Sequence, residues 1–437
     1  MRPGKLFAFI AFMILSSCSC SSAYSLPARY DLRDYGHITT IKHQGIPGPC
    51  WAFAALGAME SNYLTQGLNI DGKLPDLSEM HLAFYAYKDL RPERNFTSRI
   101  KSGTLALEGS SFMSAAFLMR LSGPASEREL RYTTRIADSQ RKAMMKREPE
   151  SYKRVMRLRD AYFLLNDELD VASKKKLIMN HGAITISLYS EPSKYHTKGK
   201  YYTYFNNSHG HETNHDVLIA GWDDNFSRDN FSPKPKRNGA WLIKNSWGEM
   251  RGNNNGYFWL SYEQYTRGGT AFIVEKDNRR LKHYGHDDLG FCSTLNYAWG
   301  ASLFCIDGKS EVLREAAFFV PDNNLEYELY VYDLGFNSPS SPVEGKLIAN
   351  VKGEIEFAGY HTVTLPEEFT MNHGNYFSVV LRLTKKIMAV ETRIKDYSEN
   401  AVVHERESYF SHDGVKWTDG KNFNANACIK AYTILKR

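Results

Sequence analysis

Cysteine is scarce in this 437-residue chain: there are six, and between Leu26 and Leu281 only Cys50. Disulfides therefore cannot staple that region, and its roughly 250 residues must hold together by core packing, for which the length suffices. Long apolar runs are equally rare. The run Leu6 to Leu15, preceded by Arg2 and Lys5, is about half of the roughly 20 residues a membrane span needs and fits a secretory signal. No later stretch reaches membrane length. A formal charge of +6 is modest, and without a recognisable motif it argues against nucleic-acid recognition.

Against this background Cys50 stands out. Pro and Gly interrupt the chain in Gln44-Gly45-Ile46-Pro47-Gly48-Pro49, and the run from Trp51 to Leu64 spaces Phe53, Leu56, Met59 and Tyr63 along one side, which predicts a helix beginning at Cys50. A thiol at that end meets free N–H groups and the positive end of the helix dipole. With an imidazolium nearby, this lowers a cysteine pKa by about 4 or 5 units.

Two later segments end or begin apolar runs with one polar side chain each. Asn214-His215-Asp216 heads the strand-like Val217-Leu218-Ile219, and Trp241-Leu242-Ile243-Lys244 leads into Asn245-Ser246-Trp247-Gly248. His215 suits a proton carrier, Asn245 can fix its tautomer, and Trp247 can shield the bond between them. The Gln44 side chain and the Cys50 N–H suit an oxyanion. Singly, each residue reads more simply as an inert core thiol, a satisfied core histidine or a turn asparagine. Together, in this order, they form an acyl-transfer set.

The stretches QGIPGPCWAF, NHDVLIAGWDD and WLIKNSWG resemble the papain-like cysteine proteases, with Gln44, Cys50, His215 and Asn245 at matching positions. LPARYDLRDYGHITTIKHQG resembles the start of a mature domain of that family. The resemblance implies a two-lobed α+β domain, one lobe helical and one of strands, with the substrate in the cleft between them. It also implies substrate contacts from Gly109, Ser110 and Trp247, Gly109 allowing the peptide backbone close. The position after the catalytic histidine commonly lines the S2 pocket in this family. Here it is Asp216, which implies a preference for Lys or Arg at P2; a local hydrogen bond or ion pair is the alternative. The chain departs from the family in three ways. Pro49 replaces a small residue, the usual disulfides are missing, and the leader runs almost directly into LPARYD without a long inhibitory prosegment. His215 and Asn245 also lie 165 and 195 residues beyond Cys50, longer gaps than the motif's usual spacing.

The extra length is assigned to the loop DDNFSRDNFSPKPKRNG and to a charged insertion between Pro124 and Lys176. The insertion is expected to be helical because Val155, Leu158, Tyr162 and Leu165 fall on one face. From Glu127 to Lys176 there are 14 Lys and Arg against 9 Asp and Glu, which reads chiefly as a solvated face. Ala183 to Tyr189 alternates as a strand.

Beyond about Lys282 short alternating strands such as Tyr327 to Tyr332 and Tyr376 to Leu381, with a hairpin at Asp413-Gly414, predict an all-β sandwich. LNYAWGASLF, AGYHTVTL and NYFSVVLRL resemble the lectin-like domain that follows the papain-like domain in a group of bacterial surface proteases. That implies a surface glycan as a partner and admits a calcium ion, although no compact acidic loop compels one. Cys292 and Cys305 either close a short disulfide, leaving Cys428 odd, or all three are buried thiols. His209, His211 and His215 lie close in sequence, but Gly210 and Asn214 read as loop and no metal site is expected.

The domains are read as 1–25, signal; 26–281, catalytic; and 282–437, lectin-like sandwich. Leu15-Ser16-Ser17-Cys18 resembles a bacterial lipobox, implying lipidation at Cys18 as the sole membrane attachment; cleavage near Ser22-Ala23-Tyr24 is the alternative. The reading is a secreted or cell-surface cysteine endopeptidase acting on protein or peptide substrates. A surface adhesin with a scaffold protease domain, or a thiol transpeptidase, is the alternative function.

Overall fold

A computed structural model of the chain describes residues 26–45, 48–68, 72–90, 108–165, 170–206, 210, 212–249, 255–277, 280–395 and 397–436. The leader with Cys18, and His209 and His211, lie outside the described residues. Among the described residues, no helix is long and apolar enough to cross a membrane.

The helical lobe contains α1 (Cys50–Thr65), α2 (Glu79–Leu90), α3 (Ser111–Met119) and α4 (Asp138–Met145). Residues Trp51 to Tyr63 of α1 are buried without interruption. Small and apolar residues all round make it the central helix rather than a surface one. A further helix, α5 (Val171–His181), packs on the sheet lobe.

The first part of the chain also supplies β1 (Arg29–Asp31), β2 (Met156–Phe163), β3 (Ile184–Leu188), β4 (Tyr195–Lys198), β5 (Tyr201–Tyr204), β6 (His215–Asp223), β7 (Ala240–Lys244), β8 (Tyr257–Ser261) and β9 (Thr266–Lys276). The centre of this lobe is the antiparallel run β9-β3-β6-β7-β8. Its register sets Leu188 opposite His215 and Leu218 opposite Lys244. Helix α1 packs against β6 and β9, so the start of the helix comes beside the start of the strand.

The remaining strands are β10 (Leu281–Gly285), β11 (Ser293–Leu295), β12 (Trp299–Cys305), β13 (Ser310–Val320), β14 (Leu325–Gly335), β15 (Lys346–Ile355), β16 (Ala358–Asn372), β17 (Tyr376–Leu383), β18 (Met388–Thr392), β19 (Ser408–Ser411), β20 (Thr418–Asp419), β21 (Ala425–Ala427) and β22 (Ile429–Leu435). The layer β10-β22-β13-β16 packs against the sheet β15-β14-β17-β12-β19-β20 over a core that includes Phe318, Leu329, Phe377 and Val379. This is the expected sandwich, with alternating side chains filling the space between the layers.

The sandwich is not a separate bead. Strand β16 pairs with β2, Gly359 opposite Tyr162, so one sheet runs through both domains. Ala317, Phe319, Tyr360 and Tyr432 join the first domain's core cluster.

Two expectations are corrected here. The stretch from Pro124 to Lys176 is not a helical insertion throughout: Met156–Phe163 is a strand between β9 and β16. Most of the charges between Glu127 and Lys153 are exposed, as expected, but two on the strand are buried and paired. Buried Arg157 binds Glu275 at 2.5 Å and Glu315 at 2.7 Å, and Asp160 Oδ1 accepts from Thr362 N at 2.6 Å. No disulfide joins Cys292 and Cys305, because Cys292 accepts from Thr392 N at 3.2 Å beside the three-stranded sheet β11-β18-β21, whereas Cys305 ends β12 in the six-stranded sheet. Nor are all three thiols buried; Cys305 is exposed.

Candidate active site

Cys50 opens α1 behind Pro49, which supplies no side-chain cap. The His215–Asp216 link lies directly beside it: Asp216 N donates to Cys50 Sγ at 3.4 Å. His215 Nε2 lies 2.9 Å from Asn245 Oδ1, which also accepts from Ser246 N at 2.9 Å. That bond fixes the ring and leaves Nδ1 for the thiol side. The Trp247 ring stacks on His215 at 4.9 Å and 20°. Both His215 and Asn245 are buried, so their bond is shielded from water.

Gln44 is held from two sides. Its Oε1 accepts from Ser246 Oγ at 2.5 Å, and its main-chain oxygen accepts from Tyr132 Oη at 2.6 Å. Its Nε2 donates to Gly48 O at 3.4 Å, the same oxygen that accepts from Cys50 N at 3.0 Å. The side-chain amide of Gln44 and the main-chain N–H of Cys50 thus converge on one point at the helix start.

Burial opposes charge on both members of the pair. It pushes the Cys50 thiol up to about 12, with the Asp216 carboxylate adding to the rise and the N–H groups of Asp216, Trp51 and Cys50 pulling the other way. It holds the His215 ring down at about 4, against the opposing effect of Asn245. The lowered thiol pKa expected from the helix terminus is therefore corrected: desolvation outweighs the N–H donors here.

Gly109 lies against the residue that follows the thiol. A Cβ there would fall 2.3 Å from the Trp51 ring and from Met113 Cε, so only glycine fits. Ser110 is extended and caps α3 by accepting from Met113 N at 3.3 Å. Ser111 Oγ bonds Thr185 Oγ1 of β3 at 2.9 Å, linking the two lobes. Asp216 Oδ1 accepts from Ser187 Oγ at 2.5 Å, and burial raises its carboxyl to about 6. The local hydrogen bond set out as an alternative for Asp216 is thus present.

One group had not been singled out from the sequence. Beneath the site a cavity of about 20 Å³, room for roughly one water, touches Lys42, Glu60, Glu79, Asp216 and Lys244. Lys42 Nζ binds Glu79 at 2.8 Å, Asp76 at 2.9 Å and Glu60 at 3.1 Å. Glu60 also accepts from Leu77 N at 2.8 Å and from Thr39 Oγ1 at 2.5 Å. Lys244 Nζ reaches Thr39 Oγ1 at 3.0 Å, and burial lowers it to about 8. The available signals were a lone acid, Glu60, inside the apolar run of α1, and a lone lysine ending the apolar strand β7.

Among the described residues no three His, Cys, Asp or Glu side chains gather to hold a metal. The buried carboxylate of Asp287 is paired with Lys430, and Glu391 accepts from Leu289 N at 2.6 Å and Asn426 Nδ2 at 2.8 Å.

Comparison with known proteins recognises both domains. Residues 26–274 match the family described as papain family cysteine protease, and residues 283–433 match the lectin-like domain. A viral cathepsin of Heliothis zea nuclear polyhedrosis virus is 29% identical over 231 residues, covering 52% of this chain and 51% of that protein. Cathepsin S of Bos taurus is 26% identical over 249 residues, covering 56% and 63%. The chain thus spans about half to two-thirds of the length of these relatives. The solved cysteine protease and lectin-like domains of Cwp84, a surface-layer-associated protein of Clostridium difficile, align with a TM-score of 0.77 at 24% identity over 94% of this chain and 89% of that one. A form of Cwp84 after propeptide cleavage gives 0.78 at 24% identity, over 93% and 99%.

Proposed function

This chain belongs to the papain family of cysteine proteases, and from that premise we propose that it is an exported endopeptidase that cleaves proteins or peptides at the cell surface through a thioester on Cys50. One observation carries the reading: His215 is tied to Asn245 while the next main-chain N–H bonds the Cys50 sulfur. His215 takes the thiol proton as Cys50 Sγ attacks the scissile carbonyl. The imidazolium so formed gives its proton to the leaving amine, and water then hydrolyses the thioester with His215 as base. Gln44 Nε2 and Cys50 N, which both donate to Gly48 O in this structure, become the oxyanion donors once the substrate oxygen replaces that carbonyl. Because burial disfavours each charge alone, the ion pair forms as the oxyanion is stabilised, and the converging donors matter most at that moment.

Surface residence draws support from the Cwp84 likeness and from the leader, with Cys18 as the lipid site. A glycan partner draws support from the outer face of the sandwich. There Trp299 stacks on Tyr330 at 5.8 Å, Arg382 lies 5.6 Å over the Trp299 ring, and Glu328 binds Arg382 at 2.5 Å and Lys352 at 3.0 Å. Flat rings beside fixed charged donors and acceptors suit a sugar.

The full chain is incubated with a peptide library, with and without an added primary amine. Internal cleavage that Cys50→Ala abolishes is the expected result. Products capped by the amine in place of water identify a transpeptidase instead, and wild-type protein that cleaves nothing while Cys50→Ala still binds glycans identifies an adhesin.

A further inference from the structure

We infer that the second domain is a working part of the substrate cleft, because it holds the helix that carries the Gly109-Ser110 segment. The inference rests on the proposed role of that segment in binding the substrate backbone. Helix α3 begins at Ser111, directly after the segment, and the second domain grips it at both ends and in the middle. At the first turn, Phe112 stacks on Phe163 at 4.4 Å and 4°, and Phe291 and Phe319 close the same aromatic cluster at 5.9 and 6.3 Å. Phe291 and Phe319 are themselves stacked at 4.3 Å and 8°. In the middle, Gly290 has φ +77°, and a Cβ there would stand 2.6 Å from Ala116 Cβ, so the chain entering the sandwich lies directly on the helix. At the last turn, Tyr432 Oη donates to Met119 O at 2.7 Å, satisfying a carbonyl that the helix end leaves unpaired.

The catalytic domain contributes Phe163 and the Ser111–Thr185 bond to the same helix. Without Phe291, Phe319 and Tyr432, one face of Phe112 and the far end of α3 lose their supports. The segment before the helix would then sample positions in which a peptide backbone cannot pair with it. The Cys50, His215 and Asn245 side chains come from α1, the start of β6 and the turn after β7, which these contacts do not touch. Phe291, Phe319 and Tyr432 are accordingly positioning residues, acting through α3. The expected signature is weaker peptide binding with unchanged chemistry at the thiol.

The experiment uses the full chain with Phe291→Ala and, as a variant that removes only one hydroxyl, Tyr432→Phe. Three quantities are measured: KM and kcat for a peptide extending at least three residues before the scissile bond, the rate of Cys50 alkylation by iodoacetamide, and the thermal midpoint. For Phe291→Ala the expected result is KM raised about fivefold, with kcat and alkylation within about twofold of wild type, and for Tyr432→Phe a smaller rise of about twofold. Unchanged KM in both variants overturns the inference. So does a parallel loss of alkylation and peptide turnover in Tyr432→Phe, which reports general loosening. If wild-type protein fails to cleave the peptide at all, the endopeptidase reading fails, and that outcome is separate from either result.

Discussion

Asn245 Oδ1 holds His215 Nε2 at 2.9 Å beneath the stacked ring of Trp247. The bond sets which imidazole nitrogen faces Cys50. Replacing Asn245 by alanine leaves a buried N–H without its acceptor and frees the ring to turn. In the Asn245→Ala protein, kcat/KM is expected to fall about 100-fold, mostly in kcat, since the ring acts on the reacting proton rather than on bound peptide. Steady-state kinetics on one peptide check this; a change confined to KM would assign Asn245 to binding.

The pH profile follows from burial of His215. Its ring is held at about 4, below the ordinary 6.5, and it accepts the thiol proton only when neutral. Activity is therefore lost on acidification through about pH 4 rather than near 6.5. The acid limb of kcat/KM measures this directly.

Asp216 carries a separate titration. Its carboxyl, raised to about 6, is neutral below that pH and ionised above it. If it faces the P2 side chain, the ratio of turnover for Arg over Leu at P2 rises between pH 5 and 7 and is flat in Asp216→Asn. The same substitution removes a charge that raises the Cys50 pKa, so the pH dependence of thiol alkylation moves to lower pH.

Lys42 links the buried Glu60 and Glu79 under the site to the exposed Asp76. Lys42→Met would leave the buried carboxyl groups of Glu60 and Glu79 without their cation. A loss of about 3–5 kcal/mol is expected in urea unfolding, with a partial return when Glu79→Gln is added.

Local pattern carried some of this architecture and not the rest. The helix from Cys50 was legible because Pro and Gly break the chain before an apolar run, and β6 because His215 and Asp216 head the unbroken apolar run Val217 to Trp222. Strand β2 was not legible. Its Arg157 and Asp160 imitate a solvated helix face, and the partners that neutralise them, Glu275, Glu315 and Thr362, lie 118 to 202 residues away. The sheet joining the two domains was hidden for the same reason, since Gly359 opposite Tyr162 is a pairing with no local signature. The sequence left the state of Cys292 and Cys305 open because nothing local says which strands bring two thiols together; the fold puts Cys292 beside the three-stranded sheet and Cys305 in the six-stranded one, unpaired.

The most direct test is to treat the native full chain with an epoxysuccinyl peptide and map the adduct by mass spectrometry. The account predicts a single adduct on Cys50, formed at a rate that drops by about 100-fold or more in His215→Ala. Equal labelling of Cys50 in both proteins, or an adduct on Cys305 alone, would contradict it.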